Sequence, residues 1–223
     1  GFNFIKLENP KKARNEKPLF CLPGFSLQSL GWTVSRISKY YQDVFNLGFS
    51  DIYIFDFTAI GGDQEKGTVI QSVVKNKLGG QFIDEMYKEI AGFIKNKILV
   101  EYNNLSILGR SAGAGLSLHL VLSHKLKVNG LNLACPGVNI KAIKQKISEY
   151  ENKNLPIRMC FAPRDKKLPI LIDGNINPDG ARVLNDIFFK DQFLDYIYFE
   201  VSTPDDSHES NHRIQPILIR NLV

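Results

Sequence analysis

The feature that most restricts the fold is the run Leu105-Ser-Ile-Leu-Gly-Arg-Ser-Ala-Gly-Ala-Gly115. Its first residues, Leu105 to Leu108, read as a short buried strand, and Leu116 to Leu122 has the composition of a buried helix. A strand that becomes a helix across one residue forces that residue into a strained backbone, with φ above zero. The residues two before and two after must then be small, because larger side chains collide with the turn. Gly109 and Gly113 meet that demand around Ser111, giving the spacing G-x-S-x-G. Such a turn lifts the serine hydroxyl above the sheet edge, at the start of a helix whose unpaired N–H groups favour negative charge. The plainer alternative is a glycine-eased turn in which Ser111 only caps the helix.

The rest of the chain alternates strand and helix signals. Phe2 to Leu7 predicts an edge strand, and Glu8 to Lys17 is a polar connector. Pro18 to Pro23 is a short apolar run that ends in Gly24-Phe25-Ser26, with helical periodicity from Trp32 to Phe45. Asp51 to Phe57, rich in β-branched and aromatic residues, predicts the next strand, and a glycine-bearing loop follows from Ala59 to Gly67. Phe82, Ile83, Met86, Ile90, Phe93 and Ile94 fall on one face of a helix expected over Gln81–Lys97. Beyond the serine, Gly130–Pro136, Leu155–Ala162 and Asp195–Val201 predict strands. Helices are expected at Ile140–Lys153 and Ala181–Asp191, with a loop over Asp173–Gly180. This alternation predicts an α/β fold: a mostly parallel sheet with helices on both faces. Residues 1–223 read as a single domain, of which 1–17 form the edge strand and connector.

Composition narrows the classes of function. The chain of 223 residues is 43% hydrophobic and 23% charged, with a net charge of +5. Its lysines are scattered, and the short groups Lys11-Lys12, Lys95/Lys97 and Lys166-Lys167 suit solvated edges better than a phosphate track, so no nucleic-acid partner is expected. No run approaches the ~18 apolar residues of a transmembrane helix. Gly1 to Ile5 shows no apolar core of a secretory leader. Cys21, Cys135 and Cys160 each lie in an apolar run read as a strand, which argues for free buried thiols in a reducing, cytoplasmic setting. No Cys/His spacing points to a metal, and no cofactor motif is present.

In a parallel sheet, ligands bind beyond the C-terminal strand ends. Ser111, Asp165 and His208 each follow such an end in the expected layout, as do Phe25 and Ala112. The strand–G-x-S-x-G–helix unit, the Pro23-Gly24-Phe25 loop and the order serine, acid, histidine resemble the α/β-hydrolases, over Pro18 to Arg213. The resemblance implies a nucleophile elbow at Ser111, a base at His208 and its acid partner at Asp165. It also implies an oxyanion hole formed by the backbone amides of Phe25 and Ala112. One departure is the loop after Asp56, which lacks the Arg-Gly that often follows the acid there.

The chemistry explains why these types are needed together. A serine hydroxyl is a poor nucleophile until an imidazole takes its proton. The imidazole in turn needs a carboxylate to fix its tautomer. Taken singly, Asp165 before Lys166-Lys167 also suits a turn, and His208 in Asp-Asp-Ser-His-Glu also suits plain surface. His119 and His124 lie within the helix after the serine and read as packing or surface. One helix alone fills the stretch between the Cys135 and Met159 strands, where many α/β-hydrolases insert a cap, so an uncapped enzyme is expected. The resemblance therefore implies a small serine esterase, lipase or thioesterase acting on a small-molecule or lipid-like acyl substrate through an acyl-enzyme. The rival reading is a non-catalytic domain of the same fold, used for binding or assembly.

Overall fold

Short runs of Ile, Leu, Phe and Tyr pair into one sheet, and the sequence between them supplies the helices that cover it. The computed structural model describes residues 3–11, 17–22, 45–46, 48–56, 80–161, 171–172, 175–176, 180–191 and 193–200. The strands of the main sheet are β1 (Asn3–Glu8), β2 (Leu19–Leu22), β3 (Asp51–Asp56), β4 (Ser106–Arg110), β5 (Gly130–Ala134), β6 (Ile157–Phe161) and β9 (Tyr196–Glu200). Among the described residues these form a seven-stranded sheet in the order β1-β3-β2-β4-β5-β6-β9. All neighbours are parallel except β1, which runs antiparallel along the outer side of β3. Between β6 and β9 lies a small antiparallel pair, β7 (Leu171–Ile172) and β8 (Asn175–Ile176). The sequence predicts a loop over part of this stretch, because two-residue strands carry no periodicity to detect.

Helices α1 (Gly80–Phe93), α2 (Ala112–His124), α3 (Ile140–Glu149) and α4 (Gly180–Lys190) join these strands. Their apolar residues share one continuous core with alternate residues of the strands, among them Phe20, Leu22, Ile107, Leu131, Leu133, Ile157 and Met159. The intervening positions Leu19, Cys21, Ile52, Ile54, Leu108 and Cys160 face the other side of the sheet and are buried as well. Burial on both faces explains why these strands read as unbroken apolar runs rather than alternating ones. Helix α2 is apolar all round, with Leu116, Leu118, Leu120, Val121 and Leu122 buried, as befits a helix enclosed by α1, α3 and the sheet. It ends at Lys125 in the left-handed conformation, φ 48. Among the described residues no helix is long and apolar enough to cross a membrane.

Several boundaries differ from the sequence expectation. The helix expected over Gln81–Lys97 begins at Gly80 and passes at Ile94–Ile98 into a π turn, followed by a last helical turn at Leu99–Glu101. Ile94 and Ile98 are both fully buried there, while Lys95, Asn96 and Lys97 are exposed. Strand β5 stops at Ala134, because Cys135 takes φ 48 and Pro136 cannot donate to a ladder. Cys135 is thus a buried turn residue rather than part of a strand, whereas Cys21 and Cys160 lie within β2 and β6. Helix α3 ends at Glu149, where the Lys153 ammonium donates to the Ile147 carbonyl at 2.7 Å. The helix expected from Trp32 lies mostly outside the described residues.

At the sheet end opposite Ser111, a polar cluster around the buried Asp51 and Tyr102 ties the edge strand down. Lys6 pairs with Asp51 at 3.2 Å and Glu8 at 2.9 Å, and the Tyr102 hydroxyl donates to Asp51. Burial raises the Tyr102 phenol above its ordinary 10.0, and the bond to Asp51 raises it further. Burial likewise raises Tyr53 and lifts the Cys160 thiol above its ordinary 9.0. Burial works against the Lys6 charge, but the contacts to Glu8 and Asp51 outweigh it and raise that group too. Each raised group contributes stability that is present below its unfolded value and lost as pH rises above it. The melting temperature is therefore expected to fall from about pH 9 upward, first through Cys160 and then through the tyrosines. Tyr102→Phe is expected to flatten the fall above about pH 10. A melting temperature unchanged between about pH 9 and 11 would contradict this account.

Candidate active site

The strand order reverses at β2, whose two neighbours β3 and β4 both come later in the chain. In parallel sheets such a reversal opens a crevice beyond the C-terminal strand ends. Ser111 stands at that crevice. It follows β4 directly, has φ 53 and ψ −121, and precedes the first residue of α2, Ala112. Gly109 shows why the small residues are needed. A Cβ there would overlap the Ser117 hydroxyl and come within 2.5 Å of the Ala114 Cα and 2.7 Å of the Gly113 carbonyl oxygen. The Ser117 hydroxyl, fully buried, donates to that same carbonyl at 2.7 Å and holds the first turn of α2.

The backbone of Ser111 is fixed from both sides. Its N–H donates to the Ala134 carbonyl at the end of β5, 2.8 Å away. Its carbonyl accepts from Ala114 at 3.0 Å and Gly115 at 3.2 Å within the helix, and from Gly137 at 3.3 Å in the loop after β5. The Ser111 side chain makes no capping hydrogen bond to the helix. That removes the plainer reading of this serine as a helix cap, which also requires a β-region backbone that φ 53 is not. The Ala112 amide, as the first N–H of the helix, has no acceptor inside it. Arg110 ends β4 immediately before Ser111 and is buried.

Of the other expected site residues, Phe25, Asp165 and His208 lie outside the described residues. The strands that lead to them are described. Leu22, the last residue of β2, pairs with Gly109, so β2 ends beside the serine turn. Phe161 and Glu200, the last residues of β6 and β9, pair with each other. Both strands run parallel to β4 and end at the same edge of the sheet. His119 lies in the middle of α2, its ring stacked on Tyr87 with centroids 5.7 Å apart, as a packing residue. The sequence predicts Cys135 and Pro136 as the end of a strand, and does not single out Gly137, whose amide holds the Ser111 carbonyl. Its signal was the turn pair Pro136-Gly137 directly after a strand. Only the loop 135–139 joins β5 to α3, so no cap is inserted at that point.

Solved structures share this layout across the whole chain. A predicted CIB-like hydrolase from Thermoplasma acidophilum superposes with a TM-score of 0.57 at 16% identity, over 99% of this chain and 100% of that one. A monoacylglycerol lipase from Paleococcus ferrophilus gives 0.56 at 14%, covering 100% of both chains. The fold is that of the α/β-hydrolases. Est1E from Butyrivibrio proteoclasticus, solved with ferulic acid bound, has the same α/β-hydrolase fold, with a TM-score of 0.59 at 11% identity over 99% of this chain and 93% of that one. No family model matches the sequence, and no curated protein matches it. Shared architecture at such identities fixes the fold and leaves the chemistry to be argued from the site.

Proposed function

We propose that this protein is a serine hydrolase that cleaves an ester or thioester through an acyl-enzyme. The observation that carries the reading is Ser111: a non-glycine residue at φ 53 between strand and helix, whose hydroxyl does not cap that helix. A strained backbone of this kind persists only where the surroundings over-determine it, and it concentrates at functional sites. In this reading His208 takes the proton from the Ser111 hydroxyl as that oxygen attacks the acyl carbonyl. Asp165 holds the imidazole in the required tautomer and stabilises the imidazolium. The carbonyl oxygen becomes an oxyanion, held by the Ala112 and Phe25 amides. Loss of one such donor typically costs about 10²- to 10³-fold in kcat. The proton then passes from His208 to the departing alcohol or thiol. Water, activated by the same imidazole, releases the acid and restores Ser111.

The α/β-hydrolase fold supports this reading, as do the esterase and lipase names of the solved structures that share it. The common edge at which β2, β4, β6 and β9 end supports grouping the five residues. The proposed substrate is a small-molecule or lipid-like acyl compound, and every step uses side chains and amides of this chain. The test is a fluorophosphonate probe with a panel of p-nitrophenyl esters and acyl-CoA thioesters. A single covalent adduct on Ser111 and turnover of at least one class are expected. No adduct and no turnover would favour the non-catalytic reading.

A further inference from the structure

We infer that Gly115 is a positioning residue for the nucleophile, acting through the loop that follows β5; this rests on the reading of Ser111 as the attacking residue. Four residues beyond the serine, Gly115 sits in the first turn of α2, buried, with the backbone of Gly137 packed directly against its Cα. A Cβ at Gly115 would overlap the Gly137 carbonyl oxygen and lie 3.1 Å from the Gly137 carbonyl carbon. Both obstacles are backbone atoms, so no rotamer change relieves the overlap. The loop itself has to move away from the helix.

That loop supports the Ser111 backbone from outside the helix, as does the end of β5. The Ser111 N–H is held by the Ala134 carbonyl at 2.8 Å, and the Ser111 carbonyl accepts from the Gly137 amide at 3.3 Å. The second bond is already near the long end of useful N–H···O distances. A displacement of Gly137 large enough to admit a methyl group therefore breaks it. The loop is also anchored at its base. Cys135, at φ 48 and fully buried, donates its N–H to the Cys160 carbonyl of β6 at 2.7 Å. With the base fixed, movement forced at Gly115 falls on Pro136 to Val138, the part that touches Ser111. Val138 is buried beside the same site, its Cγ1 3.6 Å from where the Gly115 Cβ would be. Glycine at 115 thus lets three segments (the end of β4, the first turn of α2 and the loop after β5) close on one strained residue.

The role is positional and not one of substrate contact, so the effect should fall on kcat and spare KM. A misplacement of about 1 Å at a reacting group costs about 10²-fold. Gly115→Ala is expected to lower kcat for p-nitrophenyl butyrate by about 10- to 100-fold, with KM changed less than about threefold. The rate of fluorophosphonate labelling should fall in parallel. The matched control is Gly92→Ala, at a helix position where a Cβ meets nothing within 4 Å, and it should leave both rates at the wild-type level. If Gly115→Ala does not give a cooperative melt, Gly137→Pro decides. It removes the N–H donated to Ser111 without adding an atom at Gly115, and the same selective loss of kcat is expected.

A folded Gly115→Ala enzyme with wild-type kcat overturns the inference, as does a loss confined to KM. If Gly115→Ala fails to fold, wild-type kcat in Gly137→Pro overturns it equally. These outcomes leave the nucleophile reading intact. A wild-type protein that neither turns over the ester nor reacts with the probe fells that reading and this inference with it.

Discussion

Ser111→Ala is expected to lower kcat for ester hydrolysis by about 10⁴- to 10⁶-fold and to abolish fluorophosphonate labelling. The loss is large because nucleophile and base act as a unit, and what survives comes only from binding and the oxyanion donors. The fold should be indifferent to the change. Alanine keeps the same Cβ at φ 53, so the backbone strain is neither relieved nor increased. The missing hydroxyl makes no capping bond, so α2 loses no N-terminal cap. A melting temperature within about 3 °C of wild type, together with lost turnover, is the expected pair of results. An alanine variant that still forms the covalent adduct would show that another residue attacks.

The second large effect concerns the base and its acid partner, where neighbours compete in the sequence. His208 and His212 both follow β9, and Asp205 and Asp206 lie beside His208. His208 is favoured because it comes eight residues after β9 ends at Glu200, whereas His212 stands further on, next to Arg213 and Ile214. Carboxylates next to an imidazole on a tight loop seldom face its Nδ1. Asp165 comes four residues after Phe161, the end of β6, which pairs with β9 up to Glu200. In the proposed triad it meets Nδ1 while Nε2 faces the serine, with about 2.6–3.2 Å needed at each link. His208→Ala is expected to lower kcat by about 10⁴-fold or more, and Asp165→Asn by about 10⁴-fold through the wrong tautomer. His212→Ala, Asp205→Asn and Asp206→Asn should each change kcat by less than about threefold. Steady-state kinetics on the five variants decides the matter, and a collapse in His212→Ala would move the base to that residue.

The elements with long, one-sided or wholly apolar patterns were legible in the sequence. The strand, turn and helix around Ser111 are legible from Gly109, Gly113 and the two leucine-containing runs beside them, and the turn has the positive φ that those glycines imply. The edge strand, its antiparallel partner Asp51–Asp56 and the parallel strands were also legible. What escaped depended on contacts between distant segments. Nothing local in Cys135-Pro136-Gly137 shows that its backbone will brace a serine on the neighbouring strand. Nor does a plain amphipathic pattern disclose a π turn, since Ile94 and Ile98 suit an α-helical face equally well. The two-residue strands β7 and β8 are too short for any periodicity.

The order of strands also dictates the order of assembly. Unit β4–α2–β5 is contiguous in sequence and brings the Ala134 carbonyl and the Ala114 and Gly115 amides to the Ser111 backbone, and the Gly137 amide follows within a few residues. It can form early from local contacts. Strand β2 is in the opposite position: made long before β4, it has to wait for both Asp51–Asp56 and Ser106–Arg110 before its two edges are covered. Until then Leu19-Phe-Cys-Leu22 is a bare, wholly apolar strand with open edges, the kind of segment that pairs with other chains. The centre of the sheet is therefore closed late, by contacts of high sequence separation that slow folding. A chain arrested before Ser106 lacks the strand that covers one edge of β2 and leaves that apolar edge open to other chains.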